Sequence, residues 1–213
     1  MARIVEAVPD CLLFDTAEKL ALEDYELLAR AGFRGGLRYV GFNAAPEPED
    51  IDAEEMDAAL SAGLGMMIVQ HVREGLWTPS AALGASDAVN GMRHAKAAEY
   101  MDGATFWDDL ESIAGTAAQT IDYANTKFAG VESAGNVQGE YIGDDVPLTG
   151  QQLYSDLLSP IYWEGLSRVP DVVVRGYAMR QVATVLVAGR IEVDINWHAA
   201  DKKGGRAFWM RAA

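Results

Sequence analysis

Cysteine is almost missing from this chain. Cys11 is the single one, so no intrachain disulfide can form, and its apolar surroundings mark it as a small buried hydrophobe rather than a reactive thiol. Histidine is scarce as well. His71, His94 and His198 show neither an H-E-x-x-H motif nor any paired-ligand spacing, so no metal site and no cofactor are expected. Positive charge is in deficit, with 17 Lys and Arg against 32 Asp and Glu and a net charge of −15. Such a surface repels nucleic acid and anionic membranes, and neither is expected as a partner. No stretch approaches the roughly 18 apolar residues of a membrane span. The first ten residues include Glu6, Pro9 and Asp10 and lack the apolar centre of a secretory signal. The chain thus reads as made in the cytosol, and action outside the cell would need another exit route or a leader absent from this sequence. There is no G-x-S-x-G elbow, and Gly32-Phe33-Arg34-Gly35-Gly36 follows a helical segment, where it reads as a turn. A serine hydrolase and a dinucleotide-binding enzyme are both disfavoured.

What is present is an alternation of short apolar strands with helical segments. Strands are expected at Cys11–Asp15, Leu37–Gly41, Met66–Val72, Thr105–Glu111, Val137–Gly143, Ile161–Gly165, Val172–Tyr177 and Ile191–Asn196. Helices are expected over Ala17–Ala31, from Asp52 to about Ala62, over Ala85–Met101, from Gly115 to about Phe128, over Thr149–Leu158 and, weakest in pattern, over Met179–Val187. Asp52 is placed to cap its helix, with Glu55 three residues on as in a capping box. Eight strands alternating with helices imply parallel βαβ units, and the count matches a (β/α)₈ TIM-like barrel spanning residues 1–213 as one domain. A doubly wound open sheet is the alternative. After Asn196 about 17 residues remain, a short tail over residues 197–213.

In such a barrel the active site lies at the C-terminal ends of the strands. Phe106-Trp107-Asp108-Asp109-Leu110-Glu111 is a strand ending in acids. Residues two apart share a face, so Asp109 and Glu111 project together, their Cα atoms roughly 6.6 Å apart. The first strand offers Asp15, the second Arg38 and Tyr39, and the third Gln70. Glu140 and Tyr141 end the fifth, Trp163 the sixth, Arg175 and Tyr177 the seventh with Gln181 beyond, and Asp194 and Asn196 the eighth. Barrel closure makes the first and last strands neighbours, which brings Asp15 beside Asp194. Converging carboxylates cannot all ionise cheaply, so at least one should hold its proton near neutral pH and serve as a general acid. Aromatics around the mouth suit stacking on sugar rings. The acid-rich run from Glu47 to Asp57 reads as an exposed loop entering a helix N-terminus.

Asp15, Asp109-Leu110-Glu111 and Val193-Asp194-Ile195-Asn196 resemble the lysozyme-type muramidases of glycoside hydrolase family 25. They are still more similar to the related glycoside-hydrolase-like family of domain of unknown function 1906, which Arg38-Tyr39 and the alanine-rich segment from Gly84 to Ala98 also fit. The resemblance runs from about Cys11 to Asn196, and only its D-x-E strand is moderately specific. It implies an N-acetylmuramidase that cleaves β-1,4 bonds of peptidoglycan. Glu111 would be the general acid, and Asp109 would stabilise oxocarbenium-like charge or orient the substrate's acetamido group as internal nucleophile. Asp15 and Asp194 would bind sugar and tune both acids. Arg38, Tyr39, Gln70, Tyr141, Trp163, Tyr177 and Gln181 stand as the substrate-binding set. A phage lysin or a virion-associated component fits this reading, with a virion or secretion-machinery partner. A catalytically weak or inactive barrel acting as a glycan-binding or structural module is the alternative, and a barrel enzyme of another class is the third.

Overall fold

A computed structural model of the chain describes every residue except 74. Ten strands and five helices occur among the described residues. In chain order they are β1 (Ala2–Glu6), β2 (Cys11–Thr16), α1 (Leu22–Arg30), β3 (Gly35–Val40), α2 (Ala53–Ser61), β4 (Gly65–Gln70) and α3 (Ala81–Ala97). Then follow β5 (Thr105–Leu110), α4 (Ala117–Ser133), β6 (Val137–Ile142), α5 (Gly150–Ser155), β7 (Tyr162–Glu164), β8 (Met179–Val187), β9 (Ile191–His198) and β10 (Phe208–Ala212).

Strands β2 to β9 close into an eight-stranded barrel, the ring completed by pairing of β4 with β5 and of β2 with β9. From β2 to β8 every neighbouring pair is parallel. Strand β9 runs antiparallel to both of its neighbours. The TIM-like barrel expected from the sequence is therefore the architecture, but β9 is reversed, the expected tail over residues 197–213 carries the end of β9 and the strand β10, and two further departures fall in the last third. Val172–Tyr177 is a loop, not a strand: Val174 turns at φ 67, and Val172 and Tyr177 pack against Leu153 and Tyr162 outside the barrel. Met179–Val187 is β8, not a helix. Its burial alternates residue by residue along its length, the period of a strand. The two departures cancel in the strand count.

Local chemistry explains most of the helix starts. Ser80, Thr116, Thr149 and Asp52 each accept the backbone N–H of the third residue beyond them. Thr116 and Thr149 add the reciprocal glutamine of a capping box. Glu55 does not complete the box expected after Asp52. Its carboxylate turns inward to the Leu20 amide, the Tyr25 hydroxyl and the Arg38 guanidinium. No helix among the described residues is long and apolar enough to cross a membrane.

Side chains that alternate along each strand divide the core. Phe14, Ile68 and Phe106 point outward to helices α1–α4, with Tyr25, Leu28, Met56 and Val131 around them. Leu13, Leu37, Met67, Trp107, Trp163 and Met179 fill the barrel interior. The floor is closed by β10, which pairs along its length with β1 and touches β4 at Met210–Met66. From β10 Trp209 enters the barrel, fully buried. Its ring lies where a Cβ at Gly35 or Gly65 would be, so both strands need glycine there. The interior is thus packed with apolar side chains below, and the acids are gathered at the other end.

Candidate active site

At the C-terminal ends of the parallel strands a cleft of about 430 Å³ is lined by Asp15, Tyr39, His71, Asp109, Glu111, Thr184, Glu192 and Asp194, among others. All four acids marked from the sequence meet here. Asp15 ends β2 facing inward, and Asp194 is its direct cross-strand partner on β9. Asp109 is near the end of β5 and Glu111 just past it. A second groove, of about 600 Å³, continues the cleft, sharing Ala17, His71 and Val72 and extending to Phe42, Glu47, Glu49 and Arg73.

Three of the four acids are held by neutral groups. Asn196 Nδ2 donates to Asp15 Oδ2 at 2.6 Å, and the Tyr39 hydroxyl donates to Oδ1 at 3.0 Å. Trp163 Nε1 in turn donates to Asn196 Oδ1 at 2.9 Å, which fixes the amide. Asp194 accepts from Gln181 Nε2 and from the Thr184 hydroxyl. Tyr141 OH donates to Gln181 Oε1 at 3.0 Å. Glu111 is steadied by the Asp144 backbone amide, and its carboxylate occupies the space a side chain at Gly143 would fill. Its own carbonyl accepts Trp77 Nε1 at 2.8 Å. The next residue, Ser112, turns the chain at φ 56. Asp109 Oδ1 is buried and has no partner.

Burial sets the protonation of these groups. It pushes the Asp15 carboxyl up to about 7, with Asp194 adding to the effect and the bonds from Asn196 and Tyr39 opposing it. Asp109 is driven well above the carboxylate range by burial, then by Glu111, Asp108 and Asp15, with Lys127 acting against them. Burial also raises Glu111, against the Asp144 amide. His71, stacked on Tyr39 at 4.4 Å between ring centroids, is lowered by burial. The cleft therefore holds carboxyls able to keep a proton near neutral pH.

The substrate-binding set from the sequence divides. Tyr39 lines the cleft, while Tyr141 and Gln181 reach its acids through the bonds above. Trp163 points inward but lies beneath, 1 % exposed, edge-on to Tyr141 and Trp107. Arg38, Gln70 and Tyr177 do not reach the cleft. Arg38 precedes Tyr39 and so faces the other way; it is fully buried against α2, bonded to Glu55 and to the carbonyls of Thr16 and Glu49. Gln70 likewise faces α3, donating to the carbonyls of Gly41 and Asp87. Tyr177 sits in the loop before β8 and donates to the Pro170 carbonyl at 2.5 Å. Glu140, on the outer face of β6, is buried away from the cleft, and Arg175 pairs with Asp201 at 2.7 Å. Thr184 escapes the sequence reading because residues 179–187 read as a helix, and Glu192 because a parallel last strand would put its start at the floor, whereas β9 runs antiparallel and brings it to the mouth. The concentration of β-branched Val182, Thr184, Val185 and Val187 was the available signal.

A closed eight-stranded barrel with acids gathered at one mouth fits a glycoside-hydrolase-like domain. The chain belongs to the family described as Rv2525c-like, glycoside hydrolase-like domain, whose model matches residues 26–211. No curated protein matches it significantly in sequence. Among solved structures, an uncharacterized protein of B. stearothermophilus superposes with a TM-score of 0.65 at 12 % identity, over 88 % of this chain and 95 % of that one. The modular autolysin LytC of Streptococcus pneumoniae, solved also with a synthetic peptidoglycan ligand, gives 0.62 at 13 % identity. The match covers 87 % of this chain and 46 % of LytC. The bacterial lysozyme of Streptomyces coelicolor gives 0.56 at 13 % identity, over 90 % and 93 % of the two chains.

Proposed function

We propose that the protein is an N-acetylmuramidase that hydrolyses β-1,4 bonds of peptidoglycan at the bacterial cell wall, carried there by a phage particle or by secretion machinery. The observation that supports this most is the meeting of Asp109 and Glu111 with Asp15 and Asp194 in one cleft, with one oxygen of Asp109 left unpartnered. Glu111, its proton retained through burial, donates to the glycosidic oxygen as the anomeric C–O bond breaks. The Asp109 carboxylate receives the acetamido N–H while the acetamido oxygen closes on the anomeric carbon. Glu111, now ionised, takes a proton from water as it opens that ring, which restores both groups. Asp15 and Asp194, oriented by Asn196, Tyr39, Gln181 and Thr184, hold sugar hydroxyls.

Clearing of a peptidoglycan suspension tests the reading. The wild-type protein should clear it, and Glu111→Gln should abolish clearing with the fold intact. The net charge of −15 favours a second reading, a barrel that binds glycan without cleaving it, since an anionic wall repels an anionic enzyme. Unchanged turbidity at high protein concentration across several wall types, with measurable glycan binding, would select that alternative.

A further inference from the structure

Directly behind the acid-bearing strand lies a second charged cluster, sealed inside the barrel wall. Lys127 on α4 is 1 % exposed, and its Nζ is ion-paired with Asp108 on the outer face of β5. Among the described residues, the charged and titratable groups that face it come from four elements. On its own helix, Tyr123 OH lies 3.5 Å from Nζ. On β6, Glu140 is the register partner of Asp108 and accepts from Gln138 at 2.6 Å. On α3, Asp87 accepts from Tyr123 OH at 2.9 Å. Arg73, after β4, is spent on Asp87 through two bonds of 2.5 and 2.6 Å. Among the described residues, Lys127 is therefore the cation that faces both Asp108 and Glu140. One oxygen of each of these carboxylates has no partner.

Buried ion pairs seldom repay their desolvation, and an apolar pair of similar volume would hold α4 on the barrel as well. The placement suggests another use. Asp108 is the chain neighbour of Asp109, and one strand's thickness separates the cluster from the cleft. We propose that Lys127 is a positioning residue for the cleft, acting through the barrel wall to favour the charged form of Asp109, with Asp108 acting in the opposite sense. The inference deepens the reading of the cleft as an acid site but does not depend on cleavage. Lys127 opposes, and Asp108 reinforces, the upward drive on the Asp109 carboxyl.

The test is a carbon-13 carboxyl titration by NMR of protein labelled at Asp and Glu side chains, without substrate. Lys127→Met should move the Asp109 titration up by about one pH unit, the size of a unit charge acting across a protein wall. Lys127→Arg should leave it within a few tenths. The double variant Lys127→Met with Asp108→Asn removes both charges and should return the titration toward wild type. If Lys127→Met and Lys127→Arg lower the melting temperature alike and neither moves Asp109, Lys127 is only structural and the proposal fails. Should Lys127→Met not fold, Asp108→Asn alone must move Asp109 downward; no movement overturns the proposal. A wild-type protein that clears no wall but shows these shifts would refute the muramidase reading and support this one.

Discussion

Asp108 and Asp109 are adjacent in the chain, both buried, and face opposite sides of one strand. Asp108, in the wall, is given a cation, Lys127. Asp109, in the mouth, is given none, and one of its oxygens has no hydrogen-bond partner. The contrast extends to their neighbours. In the wall, Glu55 is paired with Arg38 and Asp87 with Arg73. In the mouth, Asp15 and Asp194 receive amides and hydroxyls. A cation fixes the charge of its carboxylate. A neutral donor fixes only its direction and leaves the proton free to come and go. The molecule thus uses one residue type for cohesion behind the strand and for proton handling in front of it.

Variants on the two sides should behave oppositely. The largest effect is expected in the mouth, where Glu111→Gln should reduce wall clearing by about 10²–10⁴-fold, the usual worth of a general acid. Asp109→Asn should cost activity on a similar scale while holding or raising the melting temperature at pH 7, because it removes a buried, unpaired acid. A clear fall in melting temperature would break the comparison. In the wall, Arg38→Met leaves the buried Glu55 without its cation and should cost about 3–5 kcal/mol in urea unfolding. Asp15 follows with a pH signature. Its folded value of about 7 lies above the ordinary carboxylate value. Between about pH 4 and 7 the unfolded chain therefore gives up this proton while the folded one keeps it, so this group's contribution to stability falls as pH rises. Asp15→Asn should flatten that fall, on the order of 4 kcal/mol in a series of melts across the window. Smallest is Asp52→Ala, which removes the cap of α2 and should cost about 1 kcal/mol in urea unfolding.

The chain alone showed the barrel and its four acids because both rest on period-two arithmetic and closure. Asp109 and Glu111 share a face in any strand, and the first and last strands of a closed barrel must meet. Asp194 reaches Asp15 even though β9 runs opposite to expectation, since adjacency does not depend on strand direction. Direction does decide depth: Asn196 lies below Asp194, where it can brace Asp15. Arg38 and Gln70 could have been excluded by the same arithmetic, for each adjoins a residue of the inward row. The β8 strand was hidden by Ala183 and Leu186, good helix formers in a stretch otherwise rich in β-branched residues. The wall cluster was illegible for another reason: nothing local in Lys127 announces that α4 will lay it against Asp108, 19 residues earlier.

The floor strands carry a mechanical consequence. β1 and β10 are antiparallel with Ala2 opposite Ala212, and Ala213 N–H reaches the Met1 carbonyl at 3.0 Å. Tension applied between residues 1 and 213 would load this ribbon as a zipper, one rung at a time, rather than in shear. The ribbon would part first and draw Trp209 from its seat. The acids, at the opposite end of the barrel, would feel the load only after that stopper had gone.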